Sequence, residues 1–348
     1  MTTSERHVHL VGSLPADDAE QAMSGALDLV GDRLALLPDG ETGERFRWIT
    51  HIVDSLGDHP DLEVVTKGDW SDYDHISKLR VRRGHRLDGT TLDFGHVKAF
   101  EESYPVFTAL REQSGRPDLT FQVGVPGDLD MALFTLGPIK AFRHRRAFAT
   151  ATLAEIRAIH AQAGDAVLFQ LEVPVELVFV AKMPRPAQKA MAAFLARGLV
   201  DLVKPAPAGA RFGVHLCVGD LGNKALGKLG NDVGPLVALA NAIVSRWPHG
   251  RPLEFVHAPF AAGDEPAPTS ADFYRPLDGL RLPPQVRFVA GFVHEGQGPA
   301  EHEQILRTIE SSVGRRVDVA SACGLGRRSH EAAEASMRRA AEVAAVPA

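Results

Sequence analysis

The sequence predicts an α/β protein whose fold is one parallel, eight-stranded (β/α)8 barrel with insertions in its βα loops. Three observations predict this fold. Eight short apolar runs alternate with longer segments, several of which have helical composition. Polar and titratable residues collect where the runs end. Alternating strands and helices are typical of a parallel sheet, and a barrel gathers its functional side chains at the carboxyl ends of its strands.

The candidate strands are short runs rich in Val, Leu and Phe, as expected for strands that are buried on both faces. They lie at residues 7–11, 33–37, 119–125, 166–171, 211–216, 253–256, 286–292 and 316–320. Helical patterns lie between several of these runs, at residues 141–162, 186–203, 235–247 and 300–313. The chain of 348 residues is long enough for one such barrel.

Two insertions and a tail complete the predicted single catalytic domain, residues 1–348. Residues from about 45–100 are polar and poorly periodic. We interpret them as an excursion after the second strand, because insertions in this fold commonly cover the active face. A proline-rich loop at 258–284 follows the sixth strand, and we expect it to act as a lid. The alanine-rich tail at 329–346 is expected to form a C-terminal helix.

The composition excludes several classes of protein. The net charge of -6 is spread along the chain, and without a basic stripe to neutralise phosphates we expect no nucleic-acid partner. Two cysteines imply no disulfide framework, so a reducing cytoplasm is the expected location. The first seven residues contain no apolar h-region, and the most apolar stretch is interrupted by Glu172, Pro174 and Glu176. We therefore expect neither a secretory signal nor a membrane span.

A possible metal site centres on the run His215-Leu216-Cys217. If this run is a strand, its alternation places His215 and Cys217 on the same face. An imidazole and a thiol are donors that suit zinc. The other cysteine, Cys323, follows the eighth candidate strand, and a barrel would bring it to the same rim. The alternative is that each cysteine is a small buried hydrophobic residue.

The remaining strand ends also carry polar or titratable groups. These groups are Ser13, Asp39, Glu41, Arg45, Glu172, Glu254, His257 and His294. Ordinary interpretations stay open: Asp39-Gly40 is a strong turn signal, and the alternative roles are a strand end for Glu172 and a core histidine for His294. The concentration of these groups at one end of the predicted barrel, rather than any single motif, favours an active site.

Taken together, these residues resemble the zinc site in the carboxyl-terminal barrel of cobalamin-independent methionine synthases. The resemblance follows chain order from Val8 to Arg328. The matching segments are Val11-Gly12-Ser13, Gly40-Glu41, Phe169 to Pro174, His215-Leu216-Cys217, Leu253-Glu254-Phe255, Val293-His294 and Cys323-Gly324-Leu325. Two positions depart from the family pattern: Asp39 stands where the family has histidine, and Glu172 where it has aspartate.

The resemblance implies a catalytic barrel without the amino-terminal duplicate domain of the full-length enzymes. In that family zinc activates the homocysteine thiol to accept a methyl group from a methylated folate. The implied zinc ligands are His215, Cys217, Glu254 and Cys323. By the same resemblance Ser13, Glu41 and Glu172 would face the amino acid portion of a thiol substrate. His294, together with Glu172, would carry out the acid and base steps.

The identity of the third protein ligand stays open between Glu254 and His257. The two residues lie three positions apart, so alternation puts them on opposite faces of the strand and its register decides which one points inward. Zinc accepts either donor. The resemblance favours Glu254, and His257 would then line the substrate pocket together with Asp39 and Arg45.

The predicted function is zinc-dependent transfer of a methyl or other alkyl group to a metal-activated thiol. The acceptor would be homocysteine or a related thiol, and the donor a methylated folate or another small molecule. Small molecules are thus the expected partners, and nothing in the sequence indicates a protein partner or a membrane. The alternatives are a zinc-thiolate transferase that acts on another electrophile and a zinc- or ligand-binding barrel without catalysis.

Overall fold

An eight-stranded parallel sheet, curled almost into a closed barrel, forms the centre of the computed structural model, which describes residues 5–347. The strands within residues 5–347 are β1 Val8–His9, β2 Leu36–Pro38, β3 Leu62–Thr66, β4 Lys78–Val81, β5 Thr120–Pro126, β6 Val167–Val173, β7 Arg211–Leu216, β8 Leu253–Pro259, β9 Arg287–Val293 and β10 Asp318–Ser321. The barrel order is β1-β10-β9-β8-β7-β6-β5-β2, while β3 and β4 form a separate hairpin. A parallel bridge between Val8 and Leu34 joins the two ends of the sheet. The predicted (β/α)8 barrel is confirmed.

Helices follow most of the barrel strands and cover the outside of the sheet. They are α1 Ala19–Val30, α2 Ile49–Ser55, α3 His96–Gln113, α4 Asp130–Leu136, α5 Pro138–Ala163, α6 Pro174–Lys182, α7 Arg185–Val203, α8 Gly234–Val244, α9 Ala271–Tyr274, α10 Pro299–Val313 and α11 His330–Ala344. Within residues 5–347, none of these helices combines the length and the apolar character that crossing a bilayer requires. Residues 1–4 and Ala348 lie outside the described residues. The first of these segments belongs to the stretch in which the sequence predicted no secretory signal.

The interior of the barrel changes from apolar to reactive along the strands. Near the amino ends, Leu168 and Phe255 pack with neighbouring side chains from β9, β10 and β2 in a small apolar cluster. Two positions further along β6, Gln170 bonds to His9 on β1 at 2.8 Å. Glu172 follows two positions later, at the rim. Because side chains alternate along a strand, one face of β6 thus supplies a packed floor and a polar upper layer.

Strand β8 is irregular at the position where the sequence left the metal ligand open. Its pairing with β7 places Phe212 opposite Leu253 and then Gly213 opposite Phe255, so Glu254 has no partner in register. An extra residue of this kind is a β-bulge, and it re-aims the side chains that follow it. In this register Phe255 packs in the interior and His257 is fully buried, whereas Glu254 is partly exposed.

The excursion between β2 and α3 lies over the carboxyl end of the barrel. Glu41, Trp48 and Trp70 have left-handed backbone angles, with φ of 45°, 53° and 57°. For residues other than glycine this conformation costs about 1 to 3 kcal/mol and is kept only where the surroundings enforce it. These three residues line the cavity described below, so the strained positions coincide with its wall.

Candidate metal centre and active site

Three metal-ligating side chains meet at the carboxyl end of the barrel. His215 lies on β7, Cys217 follows that strand directly and Cys323 follows β10. Their ligand atoms all lie within 4.8 Å of one another. The two Sγ atoms are 3.7 Å apart, and Cys323 Sγ is 3.9 Å from His215 Nε2. The fold therefore brings together the two stretches that the sequence analysis linked across more than a hundred residues.

The surroundings of the two sulfurs favour a cation between them. The neighbouring Cys323 thiol and burial raise the pKa of Cys217 well above its ordinary value. Each sulfur also accepts a hydrogen bond, from the Gly219 amide to Cys217 Sγ at 3.3 Å and from Arg327 Nη2 to Cys323 Sγ at 3.5 Å. Arg327 is itself held by Asp220 at 2.8 Å. Two adjacent buried thiols ionise together only when positive charge compensates them, and a bound divalent ion provides that charge.

His257 lies behind His215 rather than beside the thiols. The two Nδ1 atoms are 2.7 Å apart, and His257 Nε2 is 3.0 Å from the main-chain oxygen of Ser321. Gly291 makes room for this ring, because a Cβ at that position would lie 2.6 Å from His257 Nε2. Burial lowers the pKa of His257 to about 3 and that of His215 well below its ordinary value, so both rings are neutral at neutral pH.

Glu254, which the resemblance favoured as a zinc ligand, does not join this group. Its carboxylate pairs with Arg211, with Nη2 to Oε2 at 2.9 Å, at the amino ends of β8 and β7. The strand rises about 3.3 Å per residue, so Glu254 lies about 10 Å below His257 along β8. The β-bulge sends the side chain away from the interior, and that shift is not visible in the matching sequence segment.

Two carboxyl groups face each other beside the donors. Gly124 lies between them: a Cβ there would be 3.0 Å from Glu41 Oε1 and 3.5 Å from Glu172 Oε1. Burial, then the charge of Asp39, raises the pKa of Glu41 to about 7. Burial, then Glu41 and Cys323, raises the pKa of Glu172 well above its ordinary value. Glu172 Oε2 is also 3.5 Å from His215 Nε2, so the carboxyl pair adjoins the candidate metal centre.

Asp39, Arg45 and Ser13 support the site in different ways. Asp39 accepts a hydrogen bond from the Glu41 amide at 2.9 Å and pairs with Arg45 at 2.8 Å. This pair lies behind Glu41, whereas Ser13 lines the cavity. The main-chain oxygen of Ser13 accepts a hydrogen bond from the Leu325 amide at 2.7 Å, which joins the segment after Cys323 to the loop that follows β1. Ser13 is thus placed where it could contact a substrate, as predicted. Asp39 and Arg45 instead stabilise the turn that carries Glu41.

His294, the predicted acid and base residue, lies outside the cavity. The Gly296 amide donates to His294 Nδ1 at 2.9 Å, and His294 Nε2 is 3.2 Å from the Gly263 oxygen. Both ring nitrogens are therefore engaged within loops after β8 and β9. None of residues 258–284, all of which the structure describes, lines the cavity, and the expected lid packs its Phe273 and Tyr274 side chains into the core instead.

A cavity opens above the donors, and its wall combines predicted site residues with others that the sequence pattern did not indicate. Its lining includes Cys217, Cys323, Glu41, Glu172, Ser13, Arg327, Arg47, Ile49, Trp48, Trp70, Tyr73, Phe134, Pro174, Asp220 and Leu221. Trp48 and Trp70 are two of the three tryptophans in the chain, and both fall in the polar excursion. Large aromatic residues in a polar, aperiodic segment were the available signal. Arg327 carried no signal beyond its nearness to Cys323.

Comparisons with known proteins agree with this architecture. Neither the protein-family models nor the curated proteins give a match. A solved B12-independent methionine synthase from Shewanella sp. W3-18-1, in complex with selenomethionine, is 15% identical with a TM-score of 0.61, covering 98% of this chain and 97% of that one. A methyltransferase from Methanosarcina mazei is 13% identical with a TM-score of 0.50, covering 98% and 94%. The resemblance drawn from the sequence is therefore confirmed at the level of the fold.

Proposed function

We propose that this protein is a zinc-dependent transferase that moves a methyl group onto a small thiol. The observation that carries the proposal is the set His215, Cys217 and Cys323, whose ligand atoms lie within 4.8 Å of one another below an open cavity. Three protein ligands with one position free are typical of catalytic zinc sites, and one histidine with two cysteines is a known set. The similarity to solved proteins described as a methionine synthase and a methyltransferase supports the same reaction class.

The donor set fits zinc in both chemistry and charge. When bound, the ion would act as a Lewis acid that keeps a thiol substrate ionised near neutral pH. Two ionised cysteines would balance its two positive charges, so the substrate sulfur would retain electron density for attack on the methyl group. The hydrogen bonds from the Gly219 amide and Arg327 would stabilise the two cysteine sulfurs in their ionised form.

The carboxyl pair points to an amino acid thiol as acceptor. Glu41 and Glu172 flank the space next to Gly124, and the pKa of each is raised by burial and by the neighbouring acidic groups. A substrate ammonium between them would favour ionisation of both carboxyls and would gain two charge-assisted hydrogen bonds. Homocysteine has this ammonium and a thiol at the end of a short chain. The solved Shewanella protein is in complex with selenomethionine, which supports an amino acid as ligand.

Protons and the second substrate are assigned to residues of the cavity. Glu172 is the carboxyl next to His215, so it would take the proton that the thiol loses. Since His294 bonds within loops outside the cavity, we give it no part in this step. The aromatic wall of Trp48, Trp70 and Phe134 would hold the methyl donor and exclude water.

The proposal is tested by metal content and by thiol methylation in the same preparation. We expect about one zinc per chain, and zinc-dependent loss of free thiol when homocysteine is incubated with a methylated folate or a simpler methyl donor. Glu254→Gln serves as the control and should keep both properties, because Glu254 lies at the opposite end of the barrel. Zinc binding without turnover with any donor would instead identify a binding barrel, and the absence of zinc would contradict the proposal.

A further inference from the structure

We propose that His257 is a positioning residue, which holds His215 in the tautomer whose Nε2 lone pair faces Cys217 and Cys323. It would do so through a chain of hydrogen bonds that ends at the main-chain oxygen of Ser321. The proposal rests on the proposed metal site, and it assigns to the β8 histidine a supporting role in place of the ligand role that the sequence left open.

The direction of this hydrogen-bond chain follows from its last member. The Ser321 oxygen can only accept, so the His257 Nε2 atom 3.0 Å away donates to it. The Leu216 main chain acts on the same ring more weakly than Ser321 does. A neutral imidazole has one N–H, so His257 Nδ1 is then an acceptor. His215 Nδ1, 2.7 Å from it, must donate. The opposite arrangement would put two lone pairs face to face at the Ser321 oxygen, inside a buried layer of the barrel.

This direction of hydrogen bonding determines the tautomer of His215, and hence the state of the Nε2 atom that faces the thiols. With its proton on Nδ1, His215 presents the Nε2 lone pair toward Cys323 Sγ at 3.9 Å. A histidine ligand generally donates its second N–H to a carbonyl, carboxylate or water, which fixes the ring and raises its basicity. Here that partner is another imidazole.

The same contact links three strands of the site. His257 lies on β8, His215 on β7, and Ser321 is the last residue of β10, two positions before Cys323. Within this set His257 has both ring nitrogens occupied, so it could become a ligand only by giving up the Ser321 or the His215 contact. Gly291 on β9 leaves the space that the ring needs. Strand β9, the fourth strand around the site, therefore also accommodates the His257 ring.

The tautomers can be measured directly in the metal-free, full-length protein. Long-range proton–nitrogen NMR correlations of ¹⁵N-labelled histidines distinguish Nδ1–H from Nε2–H rings, and the two signals are assigned with His215→Asn and His257→Asn. We expect Nδ1–H for His215 and Nε2–H for His257. The reverse pattern at either ring would overturn the proposal. This result does not depend on zinc or on turnover, so its failure is distinct from a failure of the proposed function.

A matched pair of variants tests the role in metal binding. His257→Leu keeps the volume but removes the acceptor, and we expect zinc affinity to fall about 10- to 100-fold, as for other outer partners of metal ligands. His257→Asn places an amide oxygen near the former Nδ1 and should recover most of the affinity. His302→Leu removes another fully buried histidine, away from the donors, and should bind zinc normally.

Two outcomes of the affinity series would overturn the proposal. Wild-type affinity in His257→Leu would mean that the hydrogen bond does not position His215. An equal and complete loss of zinc in both His257 variants, with the folded state intact by circular dichroism, would make His257 itself a ligand.

Discussion

The two ends of the barrel hold ionisable side chains in opposite ways. At the amino end they lie in pairs of opposite charge: Arg6 contacts Glu310 at 2.7 and 2.9 Å, and Arg211 pairs with Glu254. Such pairs balance their charges within the protein itself. The amino end is therefore electrostatically complete without any ligand, in agreement with its general role in stability in this fold.

At the carboxyl end, by contrast, groups of the same kind are neighbours. Thiol lies beside thiol, imidazole beside imidazole and carboxyl beside carboxyl. Neighbours of this kind cannot all carry charge unless something of opposite charge arrives, and burial beside such neighbours shifts the pKa values of Cys217, His215 and Glu172. Perturbed groups in a cleft are typical of functional sites. The amino end of the barrel therefore contributes to stability, whereas the carboxyl end is suited to bind a charged ligand.

The largest expected effect is on metal binding at the carboxyl end. Cys323→Ser or Cys217→Ser should weaken zinc binding about 1000-fold, because the roughly 10 to 16 kcal/mol of a structural zinc site, divided among three protein ligands, is about 4 kcal/mol for each. Competition with a chromophoric chelator measures the change. Glu254→Gln should leave the zinc affinity unchanged. A comparable loss of zinc affinity in that control would contradict the assignment of metal binding to the carboxyl end alone.

The second effect is on stability at the amino end. Glu310→Leu leaves the buried Arg6 without its partner and should lower the free energy of unfolding by about 3 kcal/mol, with normal zinc affinity. Urea denaturation gives the value. Glu303→Leu, on the same helix but in the exposed pair with Arg307, should cost about 0.5 kcal/mol or less. Equal losses of unfolding free energy in Glu310→Leu and Glu303→Leu would show that burial of an ion pair does not determine its contribution to stability.

A third test uses another group of like neighbours, the buried carboxyls of Asp128, Asp130 and Glu176. Burial raises the pKa of Asp130 to about 8, above its value of 3.8 in an unfolded chain. The folded form therefore holds more protons than the unfolded form between these values. The stabilising contribution is complete below about pH 4 and is lost as the pH rises through 8.

Between pH 6 and 8 this one carboxyl should lower the free energy of unfolding by about 2 kcal/mol. Asp130→Asn mimics the protonated carboxyl. The decrease in its free energy of unfolding between pH 6 and 8 should therefore be smaller than that of the wild type by about 2 kcal/mol. Asp28→Asn, at an exposed position, should keep the wild-type slope. Urea titrations at several pH values decide the matter, and a stability of Asp130→Asn that falls with pH as steeply as that of the wild type would contradict the sign.

The smallest effect concerns the carboxyl pair. Gly124→Ala puts a methyl group 3.0 Å from Glu41 Oε1, so the carboxyl must shift. Crowding of this kind costs about 1 to 3 kcal/mol, and we expect homocysteine affinity to fall about 10-fold or more while zinc affinity stays normal. Calorimetric titration of the zinc-loaded protein measures both. Gly25→Ala, where nothing lies within 4 Å of the added Cβ, is the control.

The fold was predictable because buried parallel strands appear as apolar runs, and the eight predicted runs correspond to the eight barrel strands. His215 and Cys217 could be placed together because alternation along a regular strand needs no further information. Alternation could not decide between Glu254 and His257, since the bulge lies at Glu254 itself. Trp48 and Trp70 could not be placed at all, because left-handed loop positions leave no periodic pattern in the sequence.

In the proposed site, one histidine and two cysteines hold zinc and leave a position for the substrate sulfur. Zinc-edge X-ray absorption of the loaded protein measures this ligand shell. We predict two sulfurs at about 2.3 Å and one nitrogen at about 2.0 to 2.1 Å, with a third sulfur appearing when homocysteine is added. A shell with fewer than two sulfurs, or one that does not change on addition of the thiol, would contradict the account.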